Sequence, residues 1–225
     1  MQIVCIILAR GGSKGLPKKN IKLFSDFPLV CHSIRHANNS RLIDKVYLSS
    51  EDSKILKVGS SYGAIPIKRP THLAQDESPS EDALKHFLEE IGECDLVVFL
   101  QPTSPLREAR DIDNIIELVL EGNFDSAFSA TPAEDVFIWE NTNEGLKSVN
   151  YDFKNRRPRQ ALEKQYIENG SIYCFKPKVL EKYNNRLGGH IGVSLMEGWK
   201  VHEIDCLEDF ELCEFIYNQR LRDTG

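Results

Sequence analysis

Residues 3–15 read Ile3-Val4-Cys5-Ile6-Ile7-Leu8-Ala9-Arg10-Gly11-Gly12-Ser13-Lys14-Gly15. Every position from 3 to 8 is apolar, and isoleucine dominates. A run with no polar face is a strand buried on both sides, the kind found in the centre of a parallel sheet. It ends in a glycine-rich turn that carries positive charge. A turn of that kind at a strand's carboxyl end is where α/β sheets collect their ligands.

Working outward, the chain alternates between two periods. Residues 45–50, 64–67, 95–100 and 125–130 read as strands, and residues 28–37, 52–62, 80–91 and 111–120 as helices. Strand–helix alternation implies βαβ units, hence an α/β fold with a mostly parallel, doubly wound (Rossmann-like) sheet. Further on, 171–175 returns to the sheet, 179–183 is a short helix, 200–204 a last strand and 208–222 a closing helix. Loops 9–20, 101–107 and the segment after 204 each follow a predicted strand, so they can converge. Between 132 and 168 the alternation fails. Apolar pieces such as Val136-Phe137-Ile138-Trp139 are broken by Asn141, Asn143 and Gly145, and basic Arg156-Arg157-Pro158-Arg159 follows. Residues 132–168 are therefore read as a β-rich arm inserted in one domain made of 1–131 and 169–225.

Composition narrows the partners. The net charge is −6 and no Lys/Arg block could hold a polyanion, so no nucleic-acid partner is expected. The six cysteines form no C-x-x-C pair and sit mostly in apolar runs, as buried thiols of a reducing compartment do. The start has no charged leader, and no apolar run approaches the roughly 18 residues of a membrane span. The expectation is a cytoplasmic protein with no membrane partner.

The glycine-rich loop lacks the G-x-G-x-x-G spacing of dinucleotide-binding folds. It is no Walker A loop either, because Leu16-Pro17 follow Gly15. Gly11, Gly12 and Gly15 permit positive φ and a close approach of backbone amides to phosphate oxygens. Arg10, Lys14 and Lys19 add cations that a purely structural turn does not need.

The run from Ala9 through Asn20, ARGGSKGLPKKN, resembles the signature of the acylneuraminate cytidylyltransferases, the CMP-sialic acid synthetases. The resemblance continues in Arg69-Pro70, in Leu100-Gln101-Pro102-Thr103-Ser104-Pro105-Leu106-Arg107, in Tyr166 with Asn169-Gly170-Ser171-Ile172-Tyr173, and in Ile204-Asp205-Cys206-Leu207-Glu208-Asp209-Phe210. Five blocks in order cover nearly the whole chain, and Gly15-Leu16 looks more like the sialic and legionaminic branch than the pseudaminic one.

The resemblance implies that CMP passes from CTP to the anomeric hydroxyl of a nine-carbon acid sugar, with release of pyrophosphate. It implies catalytic roles for Arg10, Lys19 and Gln101, and a nucleotide site built from Ala9, Arg10, Gly11, Gly12, Ser13, Lys14, Asn20, Arg69 and Ser78. It places the sugar near Gln101, Thr103, Ser104, Arg159, Gln160 and Tyr166. It also implies Mg²⁺ on Asp205, with Asp209 as a weaker second ligand. Many family members carry a second aspartate two positions after the first; this chain has Leu207 there. An aspartate at a helix start is commonly a cap, and that reading is preferred for Asp209. The arm is expected to form a homodimer, with Arg159 reaching the partner's site.

Three other readings compete. A synthetase for the eight-carbon sugar Kdo shares fold and metal but has a different loop at Gln101-Pro102-Thr103-Ser104-Pro105. A dinucleotide oxidoreductase lacks its fingerprint here, and Ser49-Ser50 stands where its acidic residue belongs. A non-catalytic nucleotide-binding protein has no need of Arg10, Lys19, Gln101 and Asp205 together.

Overall fold

The computed structural model describes residues 1–12, 15–133, 136–157 and 164–222. Its core is a seven-stranded sheet in the order β5-β4-β1-β6-β10-β7-β11. The strands are β1 (Ile3–Leu8), β4 (Lys45–Ser50), β5 (Ile65–Lys68), β6 (Leu96–Leu100), β7 (Ser126–Pro132), β10 (Tyr166–Phe175) and β11 (Ile191–Leu195). β1 pairs in parallel with both β4 and β6, β4 with β5, and β7 with β11. Only β10 runs against its neighbours in this sheet. Two short hairpins, β2–β3 (Leu23–Phe24, Phe27–Pro28) and β8–β9 (Trp139–Thr142, Gly145–Ser148), stand apart from it.

β1 has no exposed edge or face, as its sequence requires. Ile3, Cys5 and Ile7 point into one cluster with residues of α1 (Leu29–Asn38), α2 (Ser53–Ser61) and α4 (Ala109–Glu121). Val4 and Ile6 point into another with residues of α3 (Ser80–Ile91) and α5 (Pro177–Tyr183). Alternate residues of a strand serve opposite layers, so helices cover both faces. A third cluster joins Leu16, Phe24, Leu106 and Ile204 to Phe210, Cys213 and Tyr217 of α6 (Leu207–Arg220).

The expected last strand at 200–204 is not one. The edge strand is Ile191–Leu195, and Gly198–Val201 forms a 3₁₀ turn. The reason lies in Lys200, which is fully buried and ion-paired to Asp111 at 2.7 Å, Glu108 at 2.8 Å and Glu197 at 2.7 Å. Burial alone would lower the lysine's pKa, but the three carboxylates outweigh it and raise it. Tying Lys200 to the start of α4 takes that stretch away from a sheet ladder.

β10 reaches past the carboxyl end of β6 and contains a register shift between Glu168 and Tyr173. Buried backbone groups at such a bulge need other partners. Ser129 Oγ accepts the Ile172 N–H at 2.8 Å and donates to Asn169 Oδ1 at 2.6 Å, while the Ser171 N–H donates to the same Asn169 oxygen at 3.3 Å. Gly170 holds the bulge at φ 61°. A Cβ there would lie 1.9 Å from Glu203 Oε1 and 3.2 Å from Gln101 Nε2. Gly170→Ala is therefore expected to lose at least about 1 kcal/mol from the left-handed backbone alone, a fall in Tm of roughly 2–4 °C. Displacement of Glu203 adds to that loss, and a calorimetric melt at unchanged Tm would refute the reading of the bulge.

Candidate functional site

The carboxyl ends of β1, β4, β5 and β6 share one edge of the sheet, and the loops leaving β1, β5 and β6, with residues 203–205, surround a cleft of about 520 Å³. Arg10, Lys19, Asn20, Arg69, Ser78, Gln101, Thr103 and Asp205 all line it. These residues come from four separate segments, and the third apolar cluster joins three of them below the cleft through Leu16, Leu106 and Ile204.

The glycine-rich loop is held by specific bonds. Gly11 N–H donates to Glu51 Oε1 at 2.6 Å, and buried Asn20 donates from Nδ2 to the Arg10 carbonyl at 2.8 Å. The one left-handed residue among those described in this loop is Lys18 (φ 58°), not Gly11, Gly12 or Gly15. Gly15 is needed for a different reason, because a Cβ would stand 2.1 Å from the Asp205 carbonyl oxygen. Ser13 and Lys14 lie outside the described residues, as do Arg159 and Gln160.

Arg10 and Lys19 have unlike settings. Arg10 pairs with Asp76 at 2.7 Å, with both side chains more than a third exposed. Lys19 is 12% exposed and donates to the Ile204 carbonyl at 2.6 Å, with Asp205 Oδ1 at 3.4 Å. Lys19 thus packs against residues 204 and 205, whereas Arg10 stands at the open side of the loop.

Arg69 is 5% exposed, with Glu51 Oε2 at 3.4 Å and its buried Nε without a partner. Burial lowers its pKa and Glu51 opposes the shift. A buried N–H with no acceptor at the wall of a cleft is an incomplete hydrogen bond that a polar ligand can complete. Ser78 Oγ donates to the His72 carbonyl at 2.8 Å.

Gln101 follows β6, and Thr103 offers its carbonyl to Ile204 N–H at 2.8 Å. Ser104 is buried with its hydroxyl on the Asn169 carbonyl at 3.5 Å, so it braces the turn. Ala9 is also buried, and its N–H bonds Ser49. Gly12 is exposed. Tyr166 is 43% exposed at the start of β10, opposite Pro132, and is not part of the cleft lining.

Asp205 carries a carboxylate that is 83% exposed at the cleft. Asp209 Oδ2 instead accepts the N–H groups of Asp205 and Cys206, both at 3.0 Å, so as the third residue of α6 it completes a capping box whose N-cap is Cys206. The Cys206 thiol and those amides hold its pKa down. Sequence reasoning missed Glu203, two residues before Asp205 and also in the lining. Burial first, then the charge of Asp205, raises its pKa, while Arg107 and Lys19 oppose the rise. The only available signal was the i, i+2 spacing of two acids in an extended segment. No group of three or more His, Cys, Asp or Glu suited to a metal occurs among the described residues. Two acids at a phosphate-sized cleft do fit Mg²⁺, which takes one or two carboxylates and fills its shell with water and phosphate oxygens.

Comparison with known proteins agrees with this geometry. The family model described as Cytidylyltransferase matches residues 4–221. The CMP-N,N'-diacetyllegionaminic acid synthase of Campylobacter jejuni is 32% identical over 225 residues, covering 96% of this chain and 94% of that protein. N-acylneuraminate cytidylyltransferase A of Danio rerio is 34% identical over 184 residues, which are 80% of this chain and 43% of that longer protein. A solved CMP:2-keto-3-deoxy-manno-octonic acid synthetase in complex with CTP superposes with a TM-score of 0.76 at 16% identity, covering 98% of this chain and all of that one, which shows a shared fold. The chain belongs to the cytidylyltransferase family and is similar within it to the enzymes of acylneuraminate and legionaminic acid activation.

Proposed function

We propose that the chain transfers CMP from CTP to the anomeric hydroxyl of a nine-carbon acid sugar of the sialic or legionaminic type, releasing pyrophosphate. The observation that carries this is the convergence of Arg10, Lys19, Arg69, Gln101 and Asp205 on one cleft of nucleotide size at the sheet's carboxyl edge. The sugar oxygen forms a bond to the α-phosphorus while the bond to the departing diphosphate breaks. Arg10 and Lys19 stabilise the charge that grows on that diphosphate. Arg10 can do so at little cost, because its exposed pair with Asp76 is weak in water. Arg69 and Ser78 hold the cytidine side, and Gln101 orients the sugar. Asp205 and Glu203 would hold Mg²⁺, which would neutralise phosphate charge there. Pyrophosphate release with CTP should be seen with N-acetylneuraminic or legionaminic acid and not with Kdo. Release with Kdo or pseudaminic acid alone would replace the sugar assignment, and none with any acid sugar would sink the activity.

The same reading predicts the behaviour of the cleft's charges. Arg10→Ala and Lys19→Ala should each lower kcat by about 10²–10³-fold, the usual loss for one donor to developing charge. Asp205→Asn should raise the Mg²⁺ concentration that gives half-maximal rate. Asp209→Ala should instead lower Tm with little change in the metal requirement, as loss of a cap does. A reversal of those two behaviours would exchange the ligand and the cap.

The arm supports a homodimer. Ile138, Trp139, Leu146, Val149, Phe153 and Tyr166 are each 41–70% exposed. A patch of this kind on a soluble chain marks an interface. Sedimentation should give a dimer, and a Trp139→Ser/Phe153→Ser double variant a monomer. A mixture of Arg159→Ala and Gln101→Ala chains should regain activity by rebuilding one intact site per hybrid, whereas no recovery after proven subunit exchange rules out sharing.

A further inference from the structure

Arg107 is among the largest side chains with no exposure at all. Its guanidinium donates from Nε to Ser171 Oγ at 2.9 Å, from one terminal nitrogen to Ser33 Oγ at 2.7 Å, and from the other to the Gln101 carbonyl. All three acceptors are neutral, and Asp111 and Glu203 act on it only through space. Burial lowers its pKa to about 10, so the group stays charged at neutral pH. An interior cation without a bonded carboxylate is costly unless every donor direction is used well. A simple tie between elements could be made by an uncharged side chain. What the guanidinium adds is a rigid planar fork that fixes three points at once.

The three points are informative. Ser33 is on α1, Gln101 opens the turn after β6, and Ser171 belongs to the bulge of β10. The Gln101 side chain rests over Gly170, the neighbour of Ser171. Arg107 therefore fixes both the backbone of Gln101 and the surface on which its amide lies. It is absent from the cleft lining.

We propose that Arg107 is a positioning residue that sets the Gln101 amide against the incoming acid sugar by clamping the Gln101 carbonyl and the β10 bulge from behind. This rests on the reading of Gln101 as the sugar-orienting group. From here the expected kinetics follow. In folded Arg107→Met, kcat/KM for the sugar should fall about 10²-fold, the cost of a displacement near 1 Å at a reacting centre, with KM for CTP little changed. Arg107→Lys should recover part of the loss, since an ammonium reaches one acceptor but cannot form the fork.

The decisive measurement is a double-mutant cycle. If Arg107 acts through Gln101, adding Arg107→Met to Gln101→Ala should cost little further sugar kcat/KM. Additive losses, a KM for CTP raised as far as that for the sugar, or a folded Arg107→Met variant with normal sugar kinetics beside an impaired Gln101→Ala would overturn the inference. An unimpaired Gln101→Ala would overturn instead the reading on which it stands. If Arg107→Met does not fold, Ser171→Ala takes its place in the same cycle. It removes one arm of the clamp and should give a smaller, sugar-selective loss that vanishes in the Gln101→Ala background, and no loss counts against the proposal.

Discussion

Leu16, Leu106 and Ile204 come from three different loops, yet they share one apolar cluster with Phe24 and the inner face of α6. The cleft depends on that contact. Loops that leave a sheet edge are exposed to water and have little else to hold them, but these three have an apolar underside to bury. Above the cluster, the Asp205 carbonyl lies against Gly15, and Lys19 bonds the Ile204 carbonyl. The glycine-rich loop and the acidic segment are thereby locked together across most of the chain's length. α6 is the closing piece, since Phe210, Cys213 and Tyr217 supply most of what Leu16 and Ile204 pack against.

The sheet contributes a second requirement. Inserting antiparallel β10 between β6 and β7 brings Asn169, Gly170 and Ser171 to the edge beside Gln101. That edge carries polar backbone in a buried setting, so it needs internal partners. Ser129 and Asn169 satisfy one side of it, and Arg107 the other. Satisfied networks of this kind favour one arrangement over its neighbours, because a half-made network is worse than none. The rigidity of the Gln101 side of the cleft thus has a source in named hydrogen bonds.

Much of this was legible in the sequence. β1 and β6 announced themselves because a strand covered on both faces tolerates no polar residue, and 3–8 and 96–100 contain none. The convergence of loops 9–20 and 101–107 followed from parallel strand order alone. The segment 200–204 was misread because its pattern is ambiguous. Lys200 looks like a solvent-facing strand residue, whereas its burial depends on Glu108 and Asp111, some 90 residues away in sequence. Gly15 was identified for the wrong physical reason, since only the fold shows the backbone it must approach. Glu203 escaped notice because its surroundings, not its spacing, set it apart. Arg107 ended a recognised motif but had no assigned task, as nothing local says that Ser33 and Ser171 will meet it.

The unequal settings of Arg10 and Lys19 have a consequence for how the site meets its ligand. Arg10 rests on an exposed carboxylate, and water screens that pair. A triphosphate can therefore take Arg10 from Asp76 with little loss. Lys19 is different, because its ammonium is largely buried and bonded to the backbone of residue 204. Drawing it towards a phosphate either breaks that bond or carries residues 204–205 with it. The second course is favoured by the shared cluster under Leu16 and Ile204, which moves as a packed unit more readily than it comes apart. Asp205 travels on the same segment, so any displacement of Lys19 is shared with the Asp205 carboxylate. The cleft thus carries one loosely held cation and one tied to the acidic segment.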